Sequence, residues 1–182
     1  FILAPTNGYF PDGAVRHELL HIKRFHVDGV PKLTVAAAAP RRASISRDAM
    51  GGLDNAIEHI ALVPWELQLH PERREHWEAV MHDVCSALHE VPREELNLAL
   101  CMHWTFLRHV LPGSTPAETA RQFAVAHGVF ETADRFADRF LAAPGKEAAV
   151  ELLFTTFPEM DKNLAALEYI SSKTGTLRRP TP

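Results

Sequence analysis

The placement of proline constrains this chain more than any other feature. From residue 71 onward, Pro71, Pro92, Pro112, Pro116, Pro144 and Pro158 punctuate the sequence. A proline lacks the amide hydrogen and clashes with the preceding helical turn, so helices start just after it and stop just before it. The intervals carry apolar residues at spacings of three and four, the period of one helix face. Trp77, Val80, Met81, Val84 and Leu88 form one such stripe, and Leu96, Leu100, Trp104, Leu107 and Val110 the next. Phe130, Ala133, Phe136, Ala137 and Phe140 form a third. The pattern predicts helices from Pro71 to His89, from Pro92 to Pro112-Gly113, from Thr115 to about His127, and from Phe130 to Pro144-Gly145. Two more are predicted, from Lys146 to Phe157 and from Glu159 to Ile170. Thr115-Pro116-Ala117-Glu118 reads as a capping box with proline at the first helical position. The expected architecture is mainly α, a multi-helix bundle with at most a small sheet.

The first third holds the residues with chemistry. His17-Glu18-Leu19-Leu20-His21 has the form H-E-x-x-H. On a helix, positions four apart share a face, so both imidazoles can reach one metal ion. Glu18 lies about 100° round from His17 and can reach a water on that metal. Asp12 suits the N-cap of this helix, and Asp28-Gly29 suits its end. Val15, Leu19, Ile22 and His26 lie near one stripe and are expected to face the core. Lys32 to Ala38 is a candidate strand. The basic stretch with Arg41, Arg42 and Arg47 reads as a solvated loop or a clamp for a substrate carboxylate.

A catalytic zinc site takes three protein ligands and leaves one position open. The segment after Gly51-Gly52 repeats Leu53, Ile57, Ile60 and Ala61 at helical spacing, and Pro64 is expected to stop or bend it. It offers Glu58 or His59 as the third ligand. Glu58 is favoured, which leaves His59 to donate a hydrogen bond to a developing oxyanion. The other histidines, among them His70, His76, His82, His89, His103, His109 and His127, read as surface or core-edge residues.

His17-Glu18-Leu19-Leu20-His21 followed by Asn55-Ala56-Ile57-Glu58-His59 resembles the zincin metallopeptidases that use a glutamate as third ligand. The resemblance covers roughly residues 12–65 and implies His17, His21 and Glu58 as zinc ligands with Glu18 as general base. It implies a peptide or protein substrate. Zincins place a mixed sheet before the motif helix, whereas here only 11 residues precede it. The chain is expected to divide into a metal-site region at 1–65, a helical region at 66–170 and a disordered tail at 171–182.

At 182 residues the chain can bury a core without staples. Its formal charge of −4 argues against a nucleic-acid surface. Cys85 and Cys101 fall in apolar helical patterns, too few for a disulfide framework, and are expected as buried thiols in a reducing cytoplasm. No run approaches the ~18 apolar residues of a membrane span, and no secretory signal is visible. Two functional expectations follow. One is a zinc-dependent hydrolase, most simply a peptidase. The other is a helical protein-interaction module whose metal site is incidental or structural.

Overall fold

The computed structural model describes residues 12–36, 47–170 and 177–178. Among these residues the fold is mainly α, with seven α-helices and a small antiparallel sheet. Helix α1 spans Asp12–Ile22 and runs into a π-helical turn at Lys23–Val27. Gly29, at φ 72°, turns the chain into strand β1, Lys32–Val35. Helix α2 spans Arg47–Leu69, α3 Arg74–Ser86, α4 Arg93–Val110, α5 Thr115–Ala126, α6 Phe130–Leu141 and α7 Lys146–Thr156. Strand β2, Ala165–Ile170, lies between β1 and the two-residue β3, Leu177–Arg178.

The proline-bounded stripes became the core. Trp77, Met81 and Leu88 are buried from the α3 segment, Leu100, Leu107 and Val110 from α4, and Ala133, Phe136 and Phe140 from α6. Helix α4 packs against α2, α5 and α6, and α3 packs against α5. Burying a leucine such as Leu107 contributes about 1.5–3 kcal/mol, and the core joins residues from Leu33 to Phe157 in one cluster. Both cysteines are free and buried. Burial pushes the Cys85 thiol up to about 11 and the Cys101 thiol to about 12, so neither is a ready nucleophile. No helix among the described residues is long and apolar enough to cross a membrane.

Four local expectations need correction. Pro64 lies inside α2, which continues to Leu69. Leu62 and Val63 before the proline and Glu66 after it are fully buried, and packing on both sides of the proline outweighs the lost helical hydrogen bond. The expected division at residues 65 and 66 therefore falls inside one helix. Residues 159–170 form no α-helix: a 3-10 turn at Lys162–Leu164 leads into β2. Pairing with β1, in the register Lys32↔Glu168 and Leu33↔Leu167, overrides the helix preference of Ala, Leu and Glu. The cap of α5 is Ser114, whose hydroxyl accepts from the Ala117 amide, rather than Thr115. Finally, α1 turns its mixed face inward. His17 and Phe25 are buried, while Leu19 and Ile22 are 50% and 45% exposed among the described residues.

The sheet positions little of the site directly. Its anchor is Asp54 of α2, which accepts from the Leu33 amide at 2.8 Å and so fixes β1 to the helix that carries the third histidine. Arg41 and Arg42 lie outside the described residues, as do the side chain of Arg47 and most of the tail; Leu177 and Arg178 pair with Ile170 and Tyr169 of β2.

Candidate metal centre

The motif helix and α2 bring three imidazoles together. His17 and His21 are one turn apart on α1, and His59 projects from α2. Their ligand nitrogens all lie within 4.8 Å of one another. His17 Nε2 is 3.1 Å from His59 Nε2 and 3.2 Å from His21 Nε2. A tetrahedral zinc with Zn–N of about 2.0–2.1 Å places its ligand nitrogens about 3.3 Å apart. The two His17 spacings therefore match that ion.

The second requirement is that the imidazoles be neutral, so that each offers a lone pair. Burial, reinforced by the neighbouring His17 and His21 rings, holds His59 down to about 4. Burial and the His17 ring also lower His21. Three cations in one half-buried cluster would repel each other, whereas one bound metal uses all three lone pairs.

The residue that orients the cluster is Glu66, which sequence reasoning missed. Its carboxylate is fully buried and accepts from His17 Nδ1 at 3.0 Å, from Trp77 Nε1 at 3.0 Å and from Arg73 Nε at 2.9 Å. Burial alone would raise this acid, but the hydrogen bonds from His17, Arg73 and Trp77 outweigh it and hold it near 2. The Trp77 ring packs on the site as well, with its centroid 5.4 Å from His17 and 5.0 Å from His59. Glu66 is seven residues beyond His59, two helical turns on the same face. That spacing was readable in the sequence, but ending the helix at Pro64 concealed it.

Glu58 does not join the cluster, against expectation. Adjacent helix positions point about 100° apart, so only one of Glu58 and His59 can face α1's histidines. His59 does. Glu58 is 1% exposed and lies between Arg24 Nε at 2.6 Å and Lys146 Nζ at 2.8 Å. Burial would raise the Glu58 carboxyl, but these two cations lower it. Lys146 also pairs with Asp54, so the four charges balance in the interior. His59, turned into the cluster, is no longer free for the oxyanion role.

Glu18 is exposed on the rim of the cluster. It lines a pocket of about 320 Å³ together with His21, Asn55, His59, Arg73 and His76. The pocket gives the three imidazoles an open side. Compared with known protein families, with curated proteins and with solved structures, the chain matches none.

Proposed function

We propose that this chain is a zinc-dependent hydrolase, with His17, His21 and His59 as ligands and Glu18 as general base. The observation that carries this reading is the convergence of three Nε2 atoms on the open side of a pocket that a carboxylate also lines. Zinc held there would supply a water of lowered pKa and a Lewis acid for the substrate's oxygen.

The chain's own residues divide the work. Glu66 fixes the His17 tautomer and ring plane. Trp77 and the packed helix faces shut water away from the back of the cluster. Glu18 takes the proton of the attacking water and returns it to the leaving group. The resemblance of the H-E-x-x-H stretch to zincins favours an amide bond as the one cleaved, with a histidine in place of the glutamate third ligand.

Metal analysis of the purified chain tests the site. One zinc per chain, lost in His21→Ala and His59→Ala, supports it, and a chain that takes up no zinc overturns it. Glu18→Gln tests the chemistry. It should keep the zinc and lose hydrolysis by a factor of about 10²–10⁴. Cleavage at the wild-type rate would remove Glu18 from the mechanism.

A further inference from the structure

The pocket beside the histidines has one side chain whose hydrogen-bonding capacity is largely unspent. Arg73 donates Nε to Glu66. A guanidinium has five N–H donors. Neither Nη1 nor Nη2 of Arg73 has a partner among the described residues, and the side chain is 19% exposed, on the pocket wall. Asn55, on the same pocket's lining, also has no side-chain partner among them.

Two contacts hold the guanidinium still. Glu66 fixes Nε from inside the core. Gly13 lies against the other side, where an added Cβ would come within 2.9 Å of Arg73 Cδ and Nη1. A fork held in this way loses little freedom when it takes up a ligand, and its planar pair of donors matches a carboxylate or a phosphate. Its position is also defined relative to the chemistry. Glu66 bridges Arg73 to His17, so one carboxylate separates the free donors from a metal ligand.

We propose that Arg73 is the anchor for an oxyanion group on the substrate, a carboxylate or a phosphate lying close to the bond that is cleaved. This inference rests on the hydrolase reading for the identity of the bond, though not for the anion site itself. About 320 Å³ lies at the small end of ligand pockets and suits a compact anionic molecule, or the end of a chain, better than the middle of a long peptide.

Calorimetric titration of the full chain with N-acetylglycine and with inorganic phosphate tests the anchor, in zinc-loaded and in chelator-treated protein. At least one probe should bind one to one in both forms. Arg73→Gln should weaken that probe at least tenfold. Gly13→Ala, which keeps the guanidinium but crowds it, should weaken it too, so the test survives if Arg73→Gln fails to fold. Tighter binding of N-acetylglycine points to acyl amino acids or peptide termini, and tighter binding of phosphate points to phosphate esters. No binding of either probe, or equal binding by wild type and both variants, overturns the proposal. Metal content is read separately on the same samples. Anion binding without zinc uptake would sink the hydrolase reading alone, and zinc uptake without anion binding would sink the anchor alone.

Discussion

Glu66 Oε2 lies 3.0 Å from His17 Nδ1, and the buried carboxylate can only accept. The proton of the neutral imidazole must therefore sit on Nδ1, which leaves the Nε2 lone pair facing His21 and His59. A residue 49 positions away in sequence thus decides which nitrogen of the motif's first histidine can bind a metal.

Replacing this carboxylate tests that relationship. Glu66→Gln keeps the shape but cannot accept from His17, Trp77 and Arg73 with the same strength. Zinc affinity should fall about 10–100-fold, the usual effect of losing the partner behind a ligating histidine. Competition against a chromophoric chelator measures it, with circular dichroism as the control for folding.

Glu58→Gln should behave in the opposite way. It leaves Arg24 and Lys146 short of a buried counter-charge, and stability should fall by about 3–5 kcal/mol. Zinc stoichiometry in the folded fraction should stay at one. Urea unfolding together with metal analysis separates the two effects. Loss of zinc with unchanged stability would return Glu58 to the ligand set.

The metal-free protein should weaken in acid in two windows. His59 titrates near 4 when folded and near 6.5 when unfolded, so between those values the unfolded chain binds the extra proton. Stability should fall as pH drops from about 6.5 towards 4. Glu66 titrates near 2 when folded against 4.5 unfolded, so its contribution is complete above 4.5 and is lost as pH falls towards 2. Urea unfolding at a series of pH values should show the upper window reduced in His59→Gln, with the remainder carried by His21 and His103, which burial also lowers, and the lower window retained.

Gly13→Ala separates helix preference from fit. Alanine raises the intrinsic stability of α1, by less than the roughly 1 kcal/mol of a helix interior because residue 13 lies in the first turn. It also pushes against Arg73, which is anchored to Glu66. Thermal unfolding should show a gain smaller than propensity alone gives. A full gain would mean that Arg73 moves aside at no cost.

Much of this architecture is written in local pattern. The stripes at Trp77–Leu88, Leu96–Val110 and Phe130–Phe140 face the core where three- and four-residue spacing placed them, some positions fully buried and others, such as Val80, Leu96 and Phe130, packed against its edge. Lys32–Val35 is a strand, and the His17/His21 pair lies on a helix. The misreadings share one cause, partners distant in the chain. Ala165–Ile170 becomes a strand because β1 supplies hydrogen bonds from 130 residues away. Leu19 and Ile22 turn outward because the polar partners of α1, namely His59 and Glu66, lie on another helix. Choosing between Glu58 and His59 required knowing which way α2 is rotated, and the cations that claim Glu58 come from Lys23–Val27 and from the start of α7.

The π-turn at Lys23–Val27 acts as a phase adjuster between two sets of anchors. Before it, His17 pegs the helix to His59, and the His21 ring packs beside both. Within and after it, Arg24 is pegged to Glu58, Phe25 is buried, and the Asp28 amide closes the wide turn on the Lys23 carbonyl at 3.0 Å. A π-turn holds one residue more than an α-turn, and one residue is worth about 100° of rotation. Removing any single residue from this segment would put the two sets of pegs out of step, although almost every side chain would survive. The length of these five residues is thus held more tightly than their composition.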